Sequence, residues 1–197
     1  MKKIIVLLIG ILMIGCGEME RVAKIETKFG EIMVEFYPDV APKHVESFIT
    51  HAENGYFDGS AFHRVIPGFV IQGGDPNSKD DDRSNDGTGG HAAKFYGIGD
   101  KNDPETWVIP AEFNNVPHNR GALSMARTSD PNSAGSQFFI CVANVNRLDN
   151  QYTVFGKVIS GMDVVDQIVN VERDQADNPL EKVEMTVTIH NKEDLKK

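Results

Sequence analysis

Phe62-His63-Arg64-Val65-Ile66-Pro67-Gly68-Phe69-Val70-Ile71-Gln72-Gly73-Gly74-Asp75 sets an arginine and a glutamine among large apolar residues on either side of a Pro-Gly pair. Short apolar runs parted by such a pair read as two strands of a hairpin. Burying a guanidinium or an amide without partners is costly, so Arg64 and Gln72 must either face water or serve a purpose. A two-residue turn at Pro67-Gly68 would place Arg64 opposite Ile71 and send Arg64 and Gln72 to opposite faces. To bring the two together, a bulge or a strong twist would have to intervene.

The same texture extends outward. Trp107–Ile109, Gly121–Ala126, Phe138–Val142 and Thr153–Val158 are further short apolar segments separated by Gly, Pro, Asn and Asp, a pattern of many short strands. Upstream, Lys24 to Tyr37 alternates through Ile25, Ile32, Val34 and Phe36 with a turn near Lys28-Phe29-Gly30, which predicts an opening hairpin. Downstream, Val183, Met185, Val187 and Ile189 alternate with polar residues, and that last strand could pair with the first and close the sheet. Two amphipathic helices are predicted. One runs from Pro42 through Val45, Phe48, Ile49 and Ala52 to a stop at Gly55, and the other follows Gly161 through Met162, Val165, Ile168 and Val169.

A chain of 197 residues, 40% hydrophobic, has room for one sizeable core. Its formal charge of -9 would repel phosphate backbones, so no nucleic-acid partner is expected. Lys2 and Lys3 precede an apolar run from Ile4 to Gly15 that reads as a secretory signal and is short for a bilayer span. Met13-Ile14-Gly15-Cys16-Gly17 resembles a bacterial lipobox, with Met13 where that pattern most often has leucine. The resemblance implies a signal peptide over 1-15, a tether over 16-23 lipidated at Cys16, and a folded domain over 24-197. The domain would then be held at a membrane of the cell envelope by acyl chains, not embedded in it.

Several other features read as structural. Cys141, flanked by Phe138, Phe139, Ile140 and Val142, is expected to be a packed, inert thiol. His44 and His51 share a helix face, but no third ligand falls at a supporting spacing, so solvated histidines are expected there and no metal. Asp80-Asp81-Asp82 lacks the glutamate of a calcium loop, with Ala93 at the twelfth position, and reads as a solvated acidic loop. Gly87-Thr88-Gly89-Gly90 follows no strand and opens no helix, which argues against a dinucleotide site. The polar stretch from Asp75 to Glu112 is long enough to be functional or mobile. Within it, His91 to Trp107 reads as a packed surface loop, with a neighbouring specificity pocket as the other reading.

Taken in order, the opening segment, Arg120-Gly121-Ala122-Leu123-Ser124-Met125-Ala126, Gly135-Ser136-Gln137-Phe138-Phe139-Ile140, and Leu148-Asp149 through Val154-Phe155-Gly156 resemble the signature blocks of the cyclophilins. The resemblance runs from about Lys24 to Ile189. It implies a mainly β fold, a closed eight-stranded antiparallel β-barrel capped by two α-helices, with peptidyl-prolyl cis-trans isomerase activity and no cofactor. It implies a catalytic role for Arg64, supported by Gln72, and substrate-binding roles for Phe69, Val70, Ala126, Arg127, Gln137, Phe139, Leu148 and Tyr152. The implied partners are proline-containing peptides and unfolded or partly folded proteins, met by a monomer. Arg147 departs from the tryptophan of many eukaryotic members, and Tyr152 from their histidine.

The residue types suit that reaction. Turning an Xaa–Pro bond breaks amide resonance, a barrier of about 18–20 kcal/mol, but breaks no covalent bond. A site therefore needs groups that favour the twisted amide over either planar form. An arginine, charged at any physiological pH, can donate to the localised nitrogen lone pair without giving up a proton. Strand alternation puts Gln137 and Phe139 on one face and leaves Phe138 and Ile140 for the interior. The rival from another class is a non-catalytic proline-peptide-binding chaperone. A hydrolase lacks support, since there is no Gly-x-Ser-x-Gly elbow and Ser136 has no obvious base.

Overall fold

The computed structural model describes residues 20–196; the expected signal peptide, Cys16 and the first part of the tether lie outside them. The domain opens with β1 (Arg21–Thr27) and β2 (Gly30–Phe36), so the first strand begins ahead of the expected start at Lys24. After α1 (Pro42–Glu53) come β3 (Arg64–Ile66) and β4 (Val70–Gly73). A long connection then leads to β5 (Ala122–Met125), β6 (Phe138–Cys141), β7 (Val154–Ser160), α2 (Met162–Val169) and β8 (Thr186–Asn191). Every pairing is antiparallel, in the order β3-β4-β6-β5-β7-β2-β1-β8. The terminal strand does pair with the first, Ile25 opposite Val187.

The expected closed barrel is not what the ladder shows. The sheet curls, yet β3 and β8 remain its two edges. Between them runs an irregular seam in which Phe62 N donates to Val183 O at 3.0 Å and Met185 N to Ser60 O at 2.8 Å, with a single bridge at Ala61 and Glu184. The register cannot continue on either side of this seam. Ser60 is held in a turn by its own bonds to Phe57 O, and Val65 N turns away to Asp177 O at 2.8 Å.

Alternation sorts the side chains into two apolar clusters. Ile25, Ile32, Val34, Phe62, Ile71, Phe138, Ile140 and Phe155 fill the concave interior, while Val70, Phe139, Cys141, Leu148 and Val154 gather on the outer face. Phe138 and Phe139 thus part as the two-residue period requires. Phe48 of α1 enters the interior and meets the rings of Phe57 and Phe138 at 5.0 and 5.3 Å between centroids. Cys141 is fully buried, as expected, and burial pushes its thiol up to about 12, which leaves it unreactive.

The start of α1 is satisfied from a distance. Ala41 offers no side-chain cap, and the Glu112 carboxylate accepts instead from Lys43 N and His44 N at 3.1 Å and from His44 Nδ1 at 2.7 Å. A carboxylate on the exposed N–H groups of a helix start contributes about 1 kcal/mol. Burial works to raise the Glu112 pKa, but the bonds from His44 and Lys43 outweigh it and hold the carboxyl below its ordinary value. His44 and His51, expected in solvent, are instead buried at 1% and 4% exposure. The face they share looks inward because the loop after β4 covers it, His51 Nε2 donating to His91 O at 2.8 Å.

That loop is packed. Ala93 N donates to Ser47 Oγ at 2.9 Å, Tyr96 OH to Glu46 Oε2 at 3.0 Å, and Trp107 Nε1 to Asp100 O at 2.8 Å, so the stretch from His91 to Trp107 lies against α1 as a surface layer. The acidic run at Asp80 to Asp82 is exposed, and among the described residues no group of three His, Cys, Asp or Glu side chains is placed to hold a metal ion.

Burial of His51, His63 and His118 gives the fold a pH dependence. Desolvation lowers the His51 pKa from 6.5 to about 4 and also lowers those of His63 and His118; His63 has no hydrogen bond at either ring nitrogen. A folded pKa below the unfolded one means that the unfolded chain binds more protons as pH falls. Stability is therefore full above about pH 6.5 and declines towards pH 4. Urea unfolding at pH 7.5 and pH 5 is expected to differ by about 2 kcal/mol through His51 alone. His51→Gln should flatten that slope, and equal stability at the two pH values would rule the account out.

Candidate active site: a guanidinium held over an apolar slot

The turn at Pro67-Gly68 is one residue longer than the expected two-residue turn, with Pro67, Gly68 and Phe69 between the paired Ile66 and Val70. Phe69 N donates to Ile66 O at 3.0 Å, with Pro67 and Gly68 at its centre and Gly68 at φ +73°, the conformation that the third position of a type II turn demands. Ile66 therefore pairs with Val70, and Arg64 stands directly opposite Gln72. Phe69 occupies the extra turn position, so the conflict over faces resolves without a bulge inside the ladder.

From that register a chain of hydrogen bonds follows. Arg64 Nη1 donates to Gln72 Oε1 at 3.2 Å, Gln72 Nε2 to Gln137 Oε1 at 2.9 Å, and Gln137 Nε2 to Gly89 O at 2.8 Å. Gly89 belongs to the loop after β4, whose anchor is the fully buried Asp75. The Asp75 carboxylate accepts from Asn77 N at 2.9 Å, from Gly89 N at 3.3 Å and from Gly87 N. A Cβ on Gly89 would come within 2.7 Å of Asp75 Oδ1, so only glycine lets the backbone approach this closely. Asp75 does not stand out as a site residue in the linear sequence. The signal available was an aspartate directly before Pro76, which caps the 3-10 turn Pro76–Lys79.

Beside the guanidinium lies the outer apolar cluster. Val70, Phe139 and Leu148 form it, with Phe69, Ala126 and Tyr152 packed against them. The Arg64 Cζ sits 6.0 Å from the Phe69 ring centroid, so the charge is held over the slot and not turned away from it. Tyr152 meets Phe139 edge-on at 5.8 Å and carries Arg127 over its own ring at 4.4 Å. Every residue expected at the site is thus in one neighbourhood. Arg127 alone joins it only through Tyr152, its guanidinium donating to Gln151 O and Thr128 O.

Phe139 is braced from behind. His118 stacks on it at 6.1 Å and 17°, with Nδ1 at 3.0 Å from Asp149 Oδ1 and Nε2 at 3.1 Å from Ser124 Oγ. The Ser-His-Asp order is that of a hydrolase, but Ser124 is fully buried and donates to Thr153 O at 2.9 Å. No substrate can reach it, and the trio acts as a brace. Burial outweighs the Asp149 contact and lowers the His118 pKa, which keeps the imidazole neutral at pH 7. Ser136 is also buried and donates to Gly74 O at 2.7 Å.

A fixed positive donor beside a slot for an apolar ring suits non-covalent work on a peptide, the chemistry of an antiparallel β-sheet isomerase. The family model described as cyclophilin type peptidyl-prolyl cis-trans isomerase/CLD matches residues 22–189, and the chain belongs to that family. It is 39% identical over 181 residues to a probable peptidyl-prolyl cis-trans isomerase of Brucella abortus, covering 90% of this chain and 88% of that one. It is 40% identical over 162 residues to the isomerase ppi1 of Schizosaccharomyces pombe, covering 82% and 94%. A crystal structure of a Cryptosporidium parvum cyclophilin type peptidyl-prolyl cis-trans isomerase, in the presence of the dipeptide Ala-Pro, matches with a TM-score of 0.73 and 31% identity over 86% of this chain and 98% of that one.

Proposed function

We propose that this chain accelerates rotation about Xaa–Pro bonds, with Arg64 as the group that favours the twisted amide. The observation that carries the reading is the tie from Gln137 through Gln72 to Arg64, which fixes a guanidinium over the slot beside Phe69. One Nη is engaged by Gln72, and the remaining N–H groups stay available to a substrate. Phe69, Val70, Phe139 and Leu148 hold the pyrrolidine ring and exclude water, which strengthens a hydrogen bond from Arg64 to the proline nitrogen as its lone pair localises. Gln72 and Gln137 steady the flanking peptide groups, along the groove that Ala126 and Tyr152 continue. A ten-thousand-fold gain needs only about 5.5 kcal/mol, a scale within reach of one charged hydrogen bond plus positioning.

Exchange NMR on a proline tetrapeptide tests the reading. Unaided, the two isomers interconvert in tens to hundreds of seconds. Catalytic amounts of the protein are expected to bring exchange into the sub-second range. Tight binding without acceleration would favour the non-catalytic chaperone. The sequence from Lys2 to Gly17 supports a further part of the proposal, a lipid anchor at Cys16 that holds a monomeric isomerase in the cell envelope to assist proteins folding there. Incorporation of labelled fatty acid in cells, abolished by Cys16→Ser, is the expected result, and labelling that survives the substitution would refute the anchor.

A further inference from the structure

The chain has seven arginines in an acidic protein. Three are paired with carboxylates, Arg21 with Glu53, Arg120 with Asp166 and Arg173 with Asp177, and Arg83 donates to the carbonyls of Pro179 and Leu180. The other three are Arg64, Arg127 and Arg147, and among the described residues none of them has a carboxylate partner. All three converge on the proline slot. Arg64 and Arg147 flank the Phe69 ring at 6.0 and 4.3 Å, and Arg127 covers Tyr152 at 4.4 Å.

Their states differ. Arg64 is engaged by Gln72, and Arg127 spends its N–H groups on the backbone carbonyls of Gln151, Thr128 and Ser129. Arg147 is exposed, sits over Phe69 with its Cζ 4.3 Å from the ring centroid, and has no side-chain hydrogen bond among the described residues. Resting a guanidinium on an aromatic face fixes its position while leaving its edge free, and that edge is a planar fork that matches a carboxylate. An acidic surface elsewhere and three uncompensated cations here make the slot a positive spot that attracts anionic chains.

We propose that Arg147 is a specificity-determining residue that selects substrates carrying an aspartate or glutamate directly before or directly after the proline, with Arg127 adding a fixed positive field. The inference rests on the isomerase reading above. Arg147 reads the carboxylate beside the proline, while Arg64 serves the proline nitrogen.

The test compares matched proline peptides with Glu or Gln at the position before or the position after the proline, by kcat/KM at low and high salt. At low salt the wild type is expected to prefer Glu about three- to fivefold in at least one placement, as an exposed charge pair allows, with the difference lying in KM. The preference should fade by about 0.3 M salt. Arg147→Gln and Arg147→Met should bring the Glu-to-Gln ratio close to one, Met because it covers Phe69 without charge, and Arg147→Lys should keep part of it. Arg173→Gln, remote from the slot, should keep all of it. Equal handling of Glu and Gln by an active wild type overturns the selection, as does a preference that survives Arg147→Met. A wild type inactive on every peptide would instead overturn the isomerase reading.

Discussion

Arg64→Ala is expected to lower kcat/KM for isomerisation by about 100-fold, the equivalent of a charged hydrogen bond of roughly 3 kcal/mol made only as the amide twists. The estimate follows from where the guanidinium sits. Gln72 Oε1 holds one nitrogen at 3.2 Å and the Phe69 ring lies beneath, so the arginine is in place before substrate arrives and little reorganisation is needed. Arg64→Lys should fare nearly as badly, because a single ammonium cannot bond Gln72 in the same plane and still present a second donor to the proline nitrogen. Thermal unfolding should move little for either variant, since Arg64 is only part-buried and has no charged partner among the described residues. Stopped-flow or exchange kinetics on one proline peptide, with unfolding curves alongside, checks both halves. A variant that is fully active would reject the role given to Arg64.

Asp75→Ala should be the most damaging change away from the slot. Its carboxylate gathers Asn77 N, Gly87 N and Gly89 N in a fully buried position, and losing it strands three donors at a cost of about 2–4 kcal/mol. The same loss frees Gly89, whose carbonyl holds Gln137 and through it Gln72 and Arg64. Activity at a temperature where the variant remains folded is expected to fall about tenfold, the effect of roughly 1.4 kcal/mol of lost positioning. Asp75→Asn keeps one acceptor oxygen and should recover part of both. Unchanged activity in a folded Asp75→Ala would show that the loop does not support the site.

These two residues mark what was legible in the sequence and what was not. Arg64 stands out in a linear reading because a charge among large apolar residues violates strand chemistry, and the blocks around it carry the family resemblance. Helices, hairpins and the split between Phe138 and Phe139 are periodic signals, and period survives folding. Asp75 and Glu112 act across the fold instead. Glu112 caps a helix that begins at Pro42, and Asp75 organises glycines a dozen residues on; the Asp-Pro pair at 75-76 marks a local cap, but no spacing rule announces either distant contact. The burial of His44 and His51 failed to show for the same reason, since the loop that covers them is distant in the chain. The closed barrel was an expectation from resemblance, and the tight turn at Phe57 to Ser60 leaves a seam where a continuous ladder was expected.

The central claim is that Arg64 acts on the turning amide and not on the bound ground state. Line-shape NMR of a proline peptide titrated with wild type and Arg64→Ala separates the on-enzyme exchange rate from the dissociation constant. The account predicts an exchange rate about 100-fold slower, with a dissociation constant within about threefold of wild type. A loss confined to binding, with on-enzyme exchange as fast as before, would contradict it.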